Sequence, residues 1–90
     1  MEFEYDPQKS ELNKSKHGID FEEAKAIWDD TDSYEFIAKA DGEERFLVVG
    51  EIGKALWTTV VTYRGKNIRI ISVRRSRFRE VEEYDNRKGI

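Results

Sequence analysis

The 90-residue sequence contains no cysteine, so disulfides, thiolate metal sites and a cysteine nucleophile are excluded, and a reducing compartment is compatible. Histidine occurs once, at His17. No His-Glu-x-x-His pattern can form around it, the carboxylates are not grouped at ligand spacing, and no glycine-rich phosphate loop is present. Neither a metal nor a cofactor is expected. Long apolar runs are also lacking: the stretch around Leu47-Val48-Val49 falls far short of the roughly 18 residues that a spanning helix needs. The start, Met1-Glu2-Phe3-Glu4-Tyr5-Asp6, is acidic where a secretory signal is basic and then apolar. A soluble, cytoplasmic protein with no membrane contact is expected.

What the sequence has in quantity is charge. Charged residues make up 39%, against 38% hydrophobic and 12% aromatic. The apolar residues cluster in periodic segments, which argues for a folded chain. At this length one domain over 1–90 is expected, with a core small enough that a partner adds to its stability. The net charge of -3 conceals a segregation. Residues 1–58 carry fifteen acidic and seven basic side chains, whereas residues 59–79 carry seven basic ones and no acid. Six of those seven are arginines: Arg64, Arg69, Arg74, Arg75, Arg77 and Arg79. Arginine forks onto phosphate with two hydrogen bonds and keeps its charge, so such a segment attracts polyanions even in a protein of pI about 5.2. The plainer reading is that these arginines pair with the acidic C-terminal segment and the acidic first half.

Phe3-Glu4-Tyr5 alternates like a short strand. Asp6-Pro7 then offers a cap and a first-turn proline for a helix ending at Lys14-Ser15-Lys16-His17, with Gly18 as the stop. Asp20-Phe21-Glu22-Glu23 has capping-box form and opens a second helix with Phe21, Ala24, Ile27 and Trp28 on its buried face. Tyr34 to Ala40 fits either a strand or an irregular link, and Asp41-Gly42 marks a turn. Arg45 to Ile52, Ala55 to Tyr63 and Ile68 to Arg74 read as an antiparallel meander broken at Gly53-Lys54 and Gly65-Lys66. A two-residue turn at Gly65-Lys66 pairs Val61 with Ile70, Thr59 with Ser72, Thr62 with Arg69 and Val60 with Ile71. Residues 76 to 88 form a charged helix, docked through Phe78, Val81 and Tyr84. The expected class is α+β: two N-terminal helices packed on an antiparallel meander, with a C-terminal helix.

His17 ends the first helix, where its structural role is a cap; beside arginines, Lys16-His17 also has the means for proton transfer. Trp57 and Tyr63 read first as sheet residues, and Tyr63, adjoining Arg64, is the better candidate for stacking a base. Glu44-Arg45 reads as an edge pair. Arg69 emerges from an apolar strand and needs a job or a partner, and Arg74 ends that strand where it reaches solvent and substrate.

Phe3-Glu4-Tyr5-Asp6, Lys9, Asn13, Lys16-His17-Gly18-Ile19 and Phe21-Glu22-Glu23-Ala24 resemble the opening of the BrnT toxin family. Glu44-Arg45, Gly50, Gly53 and Arg69-Ile70-Ile71-Ser72-Val73-Arg74 follow in the expected order. The C-terminal stretch departs from the family's basic pattern at Phe78, Val81 and Glu82-Glu83. The resemblance implies a RelE-like ribonuclease toxin of a type II toxin-antitoxin system, neutralised by a BrnA antitoxin in a hetero-oligomer that binds DNA through the antitoxin. It singles out Lys16, His17, Glu44, Arg45, Arg69 and Arg74. The function expected is metal-independent cleavage of RNA, with His17 or Glu44 as base and Arg69 and Arg74 stabilising charge. Lys16, Arg45, Tyr63, Arg64, Arg75, Arg77 and Arg79 are the candidate RNA contacts. The alternative is a non-catalytic nucleic-acid or protein-binding module within an antitoxin-containing repressor complex.

Overall fold

The computed structural model describes residues 2–40 and 42–89. Local chemistry sets the first elements. β1 (Glu2–Glu4) leads into α1 (Pro7–His17). The Asp6 carboxylate accepts the Gln8 N–H at 2.9 Å, and Gly18 ends the helix at φ +84°, a left-handed conformation that glycine adopts without strain. α2 (Phe21–Ala24) starts from a reciprocal box in which Asp20 accepts from the Glu23 N–H and Glu23 from the Asp20 N–H. It tightens into a 3-10 turn over Lys25–Asp29, so the second helix is half α and half 3-10.

Four long strands follow: β2 (Tyr34–Ala40), β3 (Glu43–Ile52), β4 (Ala55–Arg64) and β5 (Asn67–Arg75). The segment from Tyr34 is a strand because it pairs with β3 along its whole length. Asp41, half of the expected turn, lies outside the described residues. α3 (Phe78–Arg87) closes the order.

The sheet runs β1-β5-β4-β3-β2 and is mixed, which corrects the expectation of a wholly antiparallel one. β2 to β5 are antiparallel neighbours, but β1 lies parallel to β5. Hairpin turns force antiparallel pairing only on strands they join, and none joins β1 to β5. Val61 faces Ile70 and Thr62 faces Arg69 as the turn predicts; a bulge at Val60/Val61 then moves Val60 onto Ser72 and Thr59 onto Val73.

α1, α2 and the 3-10 turn cover one face, where Phe21, Ala24 and Ile27 pack against Val48, Val61, Ile68, Ile70 and Val73. Gly50 permits the close approach, since a Cβ there would sit 3.0 Å from the Ser33 Cβ. α1 itself is anchored by polar groups. β1 ends at Glu4, which leaves the edge of β5 open, and the Asn13 amide takes the missing strand's place: it donates to the Val73 carbonyl at 2.8 Å and accepts the Val73 N–H at 3.3 Å.

The other face carries a smaller cluster of Tyr34, Val49 and Tyr84 with Leu56 beneath α3. Of the three residues expected to dock α3, Tyr84 is buried, Val81 is half-buried and Phe78 stands 79% exposed. Hydrogen bonds do the rest: the Tyr84 hydroxyl donates to Asp30 at 2.7 Å and the Tyr34 hydroxyl to the Glu80 carbonyl at 2.9 Å. Among the described residues no helix is long and apolar enough to cross a membrane.

Candidate nucleic-acid interface

Strand alternation decides which charged side chains share a face, because successive residues point to opposite sides. On the face away from α1 and α2 the register forms transverse rows. One row is Ala38, Arg45, Thr62, Arg69 and Glu4; the next is Phe36, Leu47, Val60 and Ser72; the third, under α3, is Tyr34, Val49, Thr58 and Arg74. Arg64 joins the same side beyond the first row, where it meets Glu4. Four of the candidate arginines therefore share that face: Arg45, Arg64, Arg69 and Arg74. Arg77 and Arg79, at the start of α3, are exposed beside them.

Other candidates point elsewhere. Glu44 alternates with Arg45 and so faces the helix side with Phe46; the two are neighbours in sequence on opposite faces. Tyr63 is on the helix side too, edge-on to Phe46 at 4.9 Å with its hydroxyl donating to Glu35. Burial, then that bond to a carboxylate, pushes the Tyr63 hydroxyl upward. Arg75 lies over the Trp57 ring at 5.3 Å, again on the helix side. Lys16 and His17 line a groove between α1 and β5 with Ile71 and Ser72, so they adjoin the arginine face at its β5 edge.

Two carboxylates that the sequence did not single out hold three of the arginines, one from the acidic first half and one from the acidic C-terminal segment, as the plainer reading of the charge has it. Glu80, on α3, takes Arg74 in a fork at 2.8 and 2.9 Å; the side chains are 10% and 19% exposed, which corrects the expectation that Arg74 is open to solvent. Glu80 also accepts the Arg77 N–H at 2.7 Å and the Thr58 hydroxyl at 2.9 Å. Burial raises its carboxyl, but the bonds from Arg74, Arg77 and Thr58 outweigh it and bring the value down to about 2. Glu4 accepts from Asn67 at 3.1 Å and pairs with Arg64 at 3.3 Å and Arg69 at 3.5 Å. Asn67 first, then the two guanidiniums, hold it below the usual carboxylate range against desolvation. The signals for both lay in spacing: Glu4 alternates away from Phe3 and Tyr5, and Glu80 occupies the third helical position after Arg77. Arg45 differs from the paired arginines. Its Nε is buried and has no hydrogen-bond partner among the described residues. A desolvated guanidinium nitrogen of this kind favours an anion.

A family model described as "Ribonuclease toxin, BrnT, of type II toxin-antitoxin system" matches residues 5–80. The chain belongs to the BrnT family. No match among curated proteins accompanies it. Membership makes this a ribonuclease toxin of a type II toxin-antitoxin system, with RNA as substrate class and an antitoxin as partner. The matched span takes in every arginine of the face described above and ends at Glu80, the residue that holds Arg74.

Proposed function

We propose that this BrnT protein is a metal-independent endoribonuclease of RelE-like fold, acting in the cytoplasm as a single domain, and that a BrnA-like antitoxin neutralises it in a hetero-oligomer that binds DNA through the antitoxin. The observation that carries the reading is the register that puts Arg45, Arg69 and Arg74 on one face, with an Arg45 Nε that has no partner among the described residues. Among the described residues no three His, Cys, Asp or Glu side chains group to hold a metal ion. The guanidiniums on this face supply the charge stabilisation.

RNA phosphate sits against Arg45 and Arg69, with Arg74 held in place by Glu80. His17 supports the role of base, because its groove opens onto Ser72 at the edge of that face, whereas Glu44 alternates to the other side of the sheet and lines an opening with Tyr63 and Arg64. The imidazole takes the proton of a ribose 2′-hydroxyl and the 2′-oxygen bonds to the adjacent phosphorus. The bond to the 5′-oxygen breaks, and that oxygen leaves with a proton from solvent. A 2′,3′-cyclic phosphate and a 5′-hydroxyl remain. The step needs a 2′-hydroxyl, so DNA is not cut. An antitoxin that supplies carboxylates to the same arginines inhibits by occupying them.

Purified protein is expected to cleave RNA in EDTA, leaving cyclic or 3′-phosphate ends. Activity lost on chelation and restored by magnesium contradicts the mechanism. A second reading, a binding module without catalysis, is favoured by the carboxylate partners of Arg69 and Arg74; binding without cleavage in the same assay selects it.

A further inference from the structure

Among the described residues, two large apolar side chains are left open on the arginine face: Phe78, 79% exposed at the first position of α3, and Phe36, 37% exposed on the edge strand β2. Between them is an opening of about 500 Å³ lined by Phe36, Arg77, Phe78, Arg79 and Glu80. Its rim is cationic, because Glu80, the one carboxylate in the lining, turns inward onto Arg74. Phe36 begins the uncovered row that continues through Leu47 and Val60 to Ser72. Opening and phosphate-binding arginines therefore share one continuous surface. Strands spaced about 4.8 Å apart put β2 about 14 Å from β5, a span that a short run of single strand covers.

We propose that this opening is a nucleobase subsite, in which an unpaired RNA base stacks on Phe78 against Phe36 while Arg77 and Arg79 hold the flanking phosphates. The inference rests on the RNA-cleaving reading and adds where the strand beside the cut is gripped. An exposed aromatic ring between two arginines has the composition of a single-strand stacking platform: every base offers a π face to the ring and every nucleotide a phosphate to the guanidiniums. The site takes single-stranded RNA, since a paired base has no free face to offer.

The test measures affinity for a fluorescein-labelled single-stranded RNA bearing 2′-O-methyl groups, which cannot be cut, by anisotropy. Phe78→Ala and Phe78→Leu are expected to weaken binding about 5- to 150-fold, the range for losing one base–aromatic stack. Phe78→Trp keeps wild-type affinity or improves on it. Ile37→Ser, on the opposite side of β2, leaves affinity unchanged. Requirement for an aromatic ring is what distinguishes stacking from apolar packing. If Phe78→Leu binds RNA as well as wild type, the subsite is refuted. If Phe78→Ala loses affinity only for the antitoxin, the opening belongs to a protein partner and the inference is again refuted, with the ribonuclease reading intact. Absence of any RNA binding by wild type removes both.

Discussion

Replacing Arg74 by Met keeps the hydrophobic stem and removes the guanidinium, leaving Glu80 ionised, buried and held only by Thr58 and the Arg77 N–H. Bringing the Glu80 carboxyl from 4.5 to about 2 corresponds to about 3 kcal/mol at 1.36 per unit. Thr58 and the Arg77 N–H keep part of that, so about 2 kcal/mol of folding stability should be lost at neutral pH. The pH dependence follows from the direction of the shift. Because the folded carboxyl lies below its unfolded value, its contribution is complete above about pH 4.5 and disappears as pH falls through about 2. Urea unfolding of wild type and Arg74→Met across that window reads both quantities. The gap between the two proteins should narrow as acid is added. A loss under about 1 kcal/mol at neutral pH, the worth of an exposed pair, or a gap that stays constant from pH 5 to 2, refutes the buried-pair account.

His17→Ala should slow single-turnover RNA cleavage by about 100-fold or more, the usual worth of a general base, while Glu44→Gln stays within a few-fold of wild type; the reverse order would move the base to the helix side of the sheet. Asn13→Ala should cost about 3 kcal/mol in denaturant unfolding, because it strands the Val73 N–H and carbonyl at the open edge of β5. A cost under about 1 kcal/mol would mean that water replaces the amide.

The elements legible in the sequence are those fixed by neighbours along the chain. Asp6, Pro7 and Gly18 bound α1, Asp20 and Glu23 open α2, and the branched runs of β3, β4 and β5 lie within a residue or two of where their composition puts them. Features fixed across the chain stayed hidden. The parallel seat of β1 depends on a pairing between Glu4 and Arg69, 65 residues apart in sequence. The bulge beside Val60 changes the partners of Thr59 and Val60 without any glycine to mark it. Hydropathy misled most where docking is polar: Phe78 looks like an anchor and is exposed, while the buried side of α3 is Glu80 and Tyr84, four residues apart. α1 repeats the pattern, exposing Leu12 and burying Ser10 and Asn13. For the site, the arginine segment was plain from charge, but which arginines share a face required the register. Simple alternation from Arg69 would put Arg75 on its face and Arg74 on the other; counted through the bulge, Arg74 shares the face of Arg69 and Arg75 does not.

Catalysis is assigned to one face of the sheet, and a comparison of Arg69→Ala with Arg75→Ala tests that most directly. Arg69 is on the open face beside Glu4, and Arg75 lies over Trp57 on the helix side. Single-turnover cleavage of a single-stranded RNA in EDTA, with folding checked by circular dichroism, should fall by about 100-fold or more for Arg69→Ala, the scale of losing one charge-stabilising donor. Arg75→Ala should cleave within a few-fold of wild type. Equal losses in both variants, or a loss confined to Arg75→Ala, would contradict the assignment of catalysis to the face opposite α1 and α2.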